Sequence, residues 1–158
     1  MTEQSGHPGD NIERVRTVIL RQAQLVDRFR HDEWIDGLLA DDVVWSLRPG
    51  DNLVDYRGKE AVRELMRGAA GEGWHGTHIV QPLIEVTGDQ ASSETDMFYI
   101  MLGSDRTETV DIGGLKYEAN DYKIVTVVRY SDSFVRDRSG QWRFASRAPR
   151  RLGTTAGT

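Results

Sequence analysis

The segment HGTHIVQP, residues 75–82, holds two of the chain's four histidines, His75 and His78, at the start of an apolar run. Histidine gains and loses a proton near neutral pH and is a common metal ligand. Side chains three positions apart on a strand point to opposite faces, so these two imidazoles cannot readily share one metal ion. We therefore predict no metal site here, and we expect His75 to be a surface loop residue.

His78 shares a predicted strand face with four apolar side chains, namely Val80, Pro82, Ile84 and Val86. Two interpretations of such a histidine stay open. It can be a core residue whose ring bonds to a backbone carbonyl. It can also be a general acid/base, provided that a carboxylate holds one ring nitrogen as a donor and leaves the other free to accept a proton.

The elements that must position this histidine are helices followed by strands. Asp10 and Glu13 form a capping-box-like pair and predict the start of a first helix, and DEWIDGLLA and KEAVRELMRG predict two more. DVVWSLRP and LVDYRG predict short strands. Four long strand-like runs then follow, in HIVQPLIEVTGD, QASSETDMFYIML, DYKIVTVVRYSDSFVRD and QWRFASRAPRR. This order predicts an α+β fold, a cone made by a strongly curved, mostly antiparallel sheet that N-terminal helices close.

The first helix carries an apolar stripe with Gln22 near its centre. On an ideal helical wheel Asp27 lies roughly 130° from that centre, which places it on a flank. A solvated helix charge is therefore one interpretation of Asp27. The other is that the helix ends or bends near this residue, so that the carboxylate turns inward.

Composition limits the class of protein. A chain of 158 residues with 38% hydrophobic content suits one domain, 1–158, with flexible tails at 1–9 and 152–158. It has no cysteine for a disulfide or a thiolate site, and neither a leader-like N-terminus nor a membrane-spanning apolar stretch, so we expect a cytoplasmic protein with no membrane partner. A net charge of −5 disfavours nucleic acid, and no phosphate- or dinucleotide-binding motif predicts a cofactor.

Several segments in sequence order resemble one family. QAQLVDRFRHDEWIDGLLADDVVW, YRGKEAVRELM, THIVQPLIEVTGDQASSETDMF and RYSDSFVRDRSGQWRFASR together are similar to the SnoaL-like branch of the nuclear-transport-factor-2-like superfamily. The resemblance implies a cone with an internal pocket, and a homodimer or larger homo-oligomer. Members include dehydratases, dehydrochlorinases, isomerases and polyketide cyclases, and also non-catalytic β subunits of ring-hydroxylating dioxygenases.

The resemblance also implies site residues. In the dehydratase and dehydrochlorinase members an aspartate late in the first helix orients a proton-accepting histidine, and these positions fall on Asp27 and His78. A basic residue near the end of the last strand falls on Arg150 or Arg151, which by themselves look like a solvated basic tail. This chain departs from those relatives at Gln22, where they have a tyrosine or lysine, because an amide can donate a hydrogen bond but cannot act as an acid.

Strand alternation predicts the lining of the pocket. Thr95, Met97, Tyr99 and Met101 share one face, which we take as inward, and Asp96 on the other face becomes a second candidate base if it points inward instead. The residues predicted to bind substrate are Gln22, Trp45, Tyr56, Met97, Tyr99 and Tyr130. The segment 103–121 is expected to be a long loop or a ragged hairpin, with a role as a lid or an oligomer contact.

The prediction that follows is a cofactor-independent enzyme, a lyase or an isomerase/cyclase. It would carry out acid/base chemistry on a small, largely apolar, ring-containing compound such as a polyketide, a steroid-like molecule or an aromatic compound. His78 would be the base, Asp27 its orienting group and Arg151 an anion stabiliser. The alternative is a non-catalytic ligand-binding protein or a β-type partner subunit of a ring-hydroxylating dioxygenase, which the Asp27 and His78 positions alone do not exclude.

Overall fold

A computed structural model describes residues 8–48, 52–69, 76–112 and 115–150. The elements in chain order are α1 (Pro8–Asp27), α2 (His31–Leu38), β1 (Leu39–Leu47), β2 (Val54–Arg57), α3 (Gly58–Ala69), β3 (Gly76–Thr87), β4 (Gln90–Ile112), β5 (Leu115–Arg136) and β6 (Trp142–Arg150). Within these described ranges, three helices and six strands in this order confirm the α+β class. No helix in the described ranges has both the length and the apolar character that a membrane span needs.

The six strands form one curved, open sheet in the order β2-β1-β6-β5-β4-β3. All neighbours are antiparallel except β1 and β6, which run parallel. The helices pack against the sheet, and α1 lies along β3, the strand at one edge. A helix over an edge strand shields its unpaired backbone groups. Here it also brings the end of α1 to the start of β3.

α1 begins at Pro8, two residues before the cap that the sequence predicts at Asp10. That prediction was wrong because proline is favoured in the first helical turn, where its missing N–H and fixed φ cost nothing. Asp10 lies in this first turn, where a carboxylate interacts favourably with the free amides. The apolar stripe is confirmed, since Val15, Ile19 and Leu25 are buried.

The C-terminus of α1 is closed by a Schellman motif. The amide of Phe29 donates to the carbonyl of Val26 at 3.0 Å, and the amide of Arg30 donates to the carbonyl of Leu25 at 2.9 Å. Phe29 takes the left-handed position with φ 55°, which is usually glycine. The helix therefore ends at Asp27, and the chain turns sharply directly after this carboxylate.

The core lies between the helices and the concave face of the sheet. Its largest fully buried side chains are Trp34, Phe134, Phe144, Ile19 and Ile35. Trp45 links the helical and strand parts, with ring centroids 5.3 Å from Trp34 and 5.6 Å from Phe144.

The segment 103–121 forms the far end of the β4–β5 hairpin, with a register shift between Leu102 and Thr107. A ragged hairpin is therefore confirmed, and a long loop was wrong. Residues 113–114, which follow β4 and precede β5 in the sequence, lie outside the described residues, as do 1–7 and 151–158.

Candidate active site

Asp27 and His78 are in direct contact. One carboxylate oxygen of Asp27, Oδ1, bonds to Nδ1 of the His78 ring. The other oxygen, Oδ2, accepts the backbone N–H of His78 at 2.9 Å and the hydroxyl of Thr77 at 3.2 Å. The amide of His78 is available because β3 is an edge strand. Both oxygens of the carboxylate are thus committed to the first residues of β3.

These contacts fix the protonation pattern of the pair. A carboxylate only accepts hydrogen bonds, so Nδ1 of His78 must carry the proton and Nε2 is the free acceptor of the neutral ring. Burial alone would raise the pKa of Asp27, but the hydrogen bonds from the ring and amide of His78 hold it below its ordinary value of 3.8. Asp27 is therefore ionised at neutral pH and orients His78 as a potential base.

His78 lies on the wall of an apolar cavity of about 170 Å³ under the helices. Most of the wall comes from α1, α3 and the concave faces of β1, β3 and β4, and a smaller polar part lies around an arginine. The lining consists of Gln22, Ala23, Val26, Trp34, Trp45, Leu47, Leu65, Met66, His78, Val80, Thr95, Met97, Tyr130 and Arg147. An apolar cavity with a few convergent polar groups is typical of a small-molecule site.

A buried ion pair forms the polar part of this cavity. Arg147 donates from Nε and Nη2 to the two carboxylate oxygens of Asp132, both at 2.8 Å, and from Nη1 to Oε1 of Gln22 at 3.0 Å. The Asp132 side chain is 0% exposed and that of Arg147 is 7% exposed. Ser93 and Thr95 each donate a hydroxyl to Asp132 at 3.3 Å. Such a paired and hydrogen-bonded charge is the form in which ions are tolerated in a protein interior.

Aromatic rings surround the guanidinium of Arg147. Its central carbon lies 4.6 Å from the ring centroid of Tyr130, 4.8 Å from Phe144 and 4.9 Å from Trp45. Burial disfavours the charge, but the neighbouring Asp132 keeps the pKa of Arg147 above its ordinary value. Burial also raises the pKa of Tyr130. The site therefore holds a permanent cation beside a neutral phenol.

Arg147 is a site residue that the sequence pattern does not predict. Strict alternation from the buried Phe144 turns Arg147 outward, but the register of β5 with β6 skips one residue: Phe134 pairs with Phe144 and Ser133 with Ser146. The extra residue, Ala145, is a β-bulge that returns Arg147 to the inner face. One signal was available, because Asp132 alternates in phase with Tyr130 and Phe134, and an inward aspartate needs a cationic partner.

A second pocket, of about 220 Å³, lies on the outer side of His78. His78 lines both this outer pocket and the first, inner cavity. The lining comprises Val26, Asp27, Phe29, His31, Met66, Gly76, His78 and Tyr99. The Tyr99 ring packs on the His78 ring with centroids 4.5 Å apart. Burial, and next the negative charge of Asp27, raise the pKa of Tyr99, so its phenol is a neutral donor.

Gly76 makes room for Tyr99. A Cβ at this position would meet Cζ and Oη of the Tyr99 ring at 2.8 Å, and would also collide with the carbonyl of Ile100. No ordinary Cβ contact is so short, so only glycine lets the tyrosine lie across the start of β3. Gly76 thereby keeps Tyr99 against His78.

The other predicted site residues divide into three groups. Gln22, Trp45, Met97 and Tyr130 line the inner cavity and Tyr99 lines the outer pocket, whereas Tyr56 packs against the core cluster and borders neither. Asp96 does not turn inward, because it forms an ion pair with Arg129 on the outer face at 2.6 Å. Arg150 is exposed and lies 3.9 Å from Glu94, and Arg151 and His75 fall outside the described residues.

The fold and site together define a class: a helix-covered, curved α+β sheet with an internal cavity that is bordered by a histidine held by an aspartate. Comparison with known families agrees. The family model described as a SnoaL-like domain matches residues 10–148, so the chain belongs to the SnoaL-like family, within the nuclear-transport-factor-2-like superfamily. The resemblance found in the sequence is therefore confirmed.

Solved structures show the same fold. A variant of Rv3472, a protein of unknown function from Mycobacterium tuberculosis, is 22% identical over 95% of this chain and 82% of its own, with a TM-score of 0.70. A proposed scytalone dehydratase from Novosphingobium aromaticivorans is 16% identical over 91% and 85%, with a TM-score of 0.65. The β subunit of a proposed aromatic-ring-hydroxylating dioxygenase from the same organism is 17% identical over 93% and 95%, also with a TM-score of 0.65. A search of curated proteins finds no match.

Proposed function

We propose that the chain is a cofactor-independent lyase or isomerase/cyclase that moves protons on a small, largely apolar, ring-containing substrate. A polyketide, a steroid-like compound or an aromatic compound would fit this description of the substrate. The observation that carries the proposal is the Asp27–His78 pair, whose ring lies between the inner cavity and the outer pocket. The similarity in fold to a proposed scytalone dehydratase supports it.

His78 is the general base in this proposal. Its Nε2 has no hydrogen-bond partner among the described residues. The described side-chain N and O atoms that are both buried and without a partner are Glu94 Oε2 and Trp142 Nε1, so Nε2 of His78 retains accessible surface. Nε2 takes a proton from a substrate carbon next to a carbonyl group, and the bonding electron pair moves toward the carbonyl oxygen. Asp27 stabilises the imidazolium that forms, as the carboxylate does in other histidine-based sites. The proton then returns to another atom in an isomerisation, or to the leaving group in a dehydration.

Arg147, and not the Arg151 that the family resemblance implies, takes the role of anion stabiliser. Three of its five N–H groups are used by Asp132 and Gln22, which leaves two as donors for a ligand oxygen in the cavity. Gln22 is a polar contact whose amide NH2 stays available, because its oxygen faces the guanidinium. A preorganised donor in a water-poor site stabilises developing negative charge strongly.

The test of the proposed function is turnover by His78 variants. Substrate candidates are ring compounds with a hydroxyl group β to a carbonyl, and product formation is followed by mass spectrometry. His78→Gln should lower kcat by about 10²–10⁴-fold, the usual contribution of general base catalysis. His7→Gln makes the same chemical change elsewhere in the chain and should leave kcat unaltered. Undiminished turnover in His78→Gln, with circular dichroism showing an intact fold, would remove His78 from this role.

The alternative is a ligand-binding protein or a β-type subunit of a ring-hydroxylating dioxygenase, which the similarity in fold to such a subunit supports. The two functions predict different assemblies. An enzyme of this kind is a self-sufficient homo-oligomer, whereas a β subunit co-purifies with a larger iron-containing chain. Native mass spectrometry of the protein isolated from its own host distinguishes the two.

A homodimer is supported by an apolar patch on the outer face of the sheet. Strand pairing places Ile79, Phe98 and Val127 side by side. Four side chains in this region are well exposed: Ile79, Leu83, Ile124 and Val127. Adjacent exposed apolar side chains on a sheet are typical of a protein interface. Leu83→Glu, a charge at the most exposed of them, should shift the mass in solution from dimer to monomer.

A further inference from the structure

His31, which no prediction from the sequence included, lies in the wall of the outer pocket. It is the first residue of α2, directly after the turn that ends α1, and it shares this pocket with Asp27, His78 and Tyr99. The His31 and Phe29 rings form a T-shaped pair, with centroids 6.1 Å apart. The pocket therefore contains two imidazoles, one from α2 and one from β3.

The protonation pattern of His31 is set by Trp34. The indole Nε1 of Trp34 donates to Nδ1 of His31 at 3.3 Å. Because an indole N–H is only a donor, Nδ1 must be unprotonated, and the proton of the neutral ring is on Nε2. Burial lowers the pKa of His31, partly offset by the charge of Asp32, and a cation at the first turn of a helix is unfavourable. Burial outweighs the opposing charge of Asp32, so the net effect favours the neutral ring.

The two imidazoles of the pocket are thus fixed in opposite tautomers. Asp27 holds His78 with Nε2 as an acceptor, whereas Trp34 holds His31 with Nε2–H as a donor. A site with one fixed acceptor and one fixed donor discriminates between ligands by the position of their oxygen atoms.

The charges around the pocket restrict the ligand further. The ionised Asp27 borders the outer pocket and repels an anion there. The cation of Arg147 in the inner cavity is already neutralised by Asp132. Among the described residues that line the site, neither end offers an uncompensated positive charge to a carboxylate.

We propose that His31 is a specificity-determining ligand contact, and that its Nε2–H binds the carbonyl or hydroxyl oxygen of an uncharged ring compound whose ring lies against Tyr99 and Phe29. This inference rests on the proposed function only in placing the ligand beside His78. His31 donates a hydrogen bond and keeps its proton, so it is a binding residue and takes no part in proton transfer.

A first test observes the tautomer directly. Long-range proton–nitrogen NMR spectra of the four histidines, recorded at a pH above their titrations, should show His31 with the proton on Nε2. Trp34→Phe removes the indole donor and should convert the His31 signal to a mixture of tautomers. A proton on Nδ1 of His31 in the unmodified protein would overturn the inference.

A second test uses three one-ring probes of nearly equal shape: acetophenone with a carbonyl oxygen, α-methylstyrene with none, and benzoate with a charge. We expect acetophenone to bind most tightly in NMR titrations. His31→Phe should weaken acetophenone about two- to tenfold, the value of one hydrogen bond, and change α-methylstyrene less than twofold. His31→Gln places an amide N–H near the position of Nε2 and should restore most of the affinity.

The outcomes separate this inference from the proposed function, since neither test requires turnover. Equal weakening of acetophenone and α-methylstyrene, tighter binding of benzoate, or no binding of any probe would overturn the role of His31. If His31 passes both tests while no substrate is turned over, only the enzymatic proposal fails. If turnover depends on His78 but ligand binding ignores His31, only the present inference fails.

Discussion

Removing one partner of the Arg147–Asp132 ion pair should destabilise the protein far more than removing both. Arg147→Leu leaves the carboxylate of Asp132, which is 0% exposed, with only the hydroxyls of Ser93 and Thr95 as partners. An uncompensated buried charge costs about 3–5 kcal/mol in the free energy of unfolding. Asp132→Leu leaves the guanidinium unpaired and should cost a similar amount.

The double variant tests the reasoning. If the losses were independent, Arg147→Leu with Asp132→Leu would lose about 6–10 kcal/mol, more than many domains of this size possess. Because both charges disappear together and two apolar side chains replace them, we expect the double variant to be more stable than either single variant. Equilibrium urea unfolding followed by tryptophan fluorescence measures all four proteins. Additive losses in the double variant would refute the account of a coupled buried pair.

A milder change keeps the test possible if a single variant does not fold. Arg147→Lys retains a positive charge but cannot donate to both oxygens of Asp132 while also reaching Gln22. Its loss of stability should be smaller than that of Arg147→Leu. An equal loss in the two variants would show that packing, and not charge, is what Arg147 supplies.

Three further predictions concern the two ends of the outer pocket. The pKa of Asp27 lies below its ordinary 3.8, so its carboxylate stabilises the folded state at neutral pH, and this stabilisation is lost as the pH falls through the lowered pKa. Asp27→Asn should therefore be less stable than the unmodified protein at pH 7, and the difference in unfolding free energy should shrink toward acid pH. A difference that stays constant with pH would contradict the linkage between the Asp27 pKa and stability. Gly76→Ala should displace the Tyr99 ring and cost about 1–3 kcal/mol in stability; a crystal structure with the ring unmoved would refute the steric argument. Phe29→Gly relieves the left-handed conformation and should raise the free energy of unfolding by up to about 1 kcal/mol while weakening ligand binding at the mouth; thermal unfolding with a lowered midpoint would contradict the first part.

The elements of this fold are readable from the sequence because their patterns are long and regular. The stripe of α1 and the alternation around His78 are both confirmed, since half-buried and exposed positions alternate along β3 and Ile84 on the inward side is buried. Periodicity alone, however, placed Asp27 on a flank of the helix. In the structure the Asp27 carboxylate nevertheless reaches His78, because α1 stops at Asp27. Phe29 closes the helix in the left-handed conformation, which is disfavoured for a non-glycine residue. A helical wheel describes helix interiors and gives no direction at the last turn.

The polar end of the cavity was predictable only in part. The inward face of β4 is confirmed at Thr95 and Met97, which are 0% and 7% exposed. The family resemblance implies a cation at Arg150 or Arg151, near the end of the last strand. Strand alternation does not predict Arg147 instead, because it gives no warning of the bulge at Ala145. The position of that bulge is set by the hydrogen-bond register between β5 and β6, and no local sequence pattern predicts this register.

The central claim is that Asp27 fixes His78 with Nε2 as the free base beside the cavity. The most direct measurement is the tautomer of His78 by long-range proton–nitrogen NMR, in the unmodified protein and in Asp27→Asn. We predict a proton on Nδ1 in the unmodified protein. In Asp27→Asn the amide can donate to Nδ1, so we predict a shift of the proton toward Nε2. A proton on Nε2 of His78 in the unmodified protein, or a spectrum that Asp27→Asn leaves unchanged, would contradict the account.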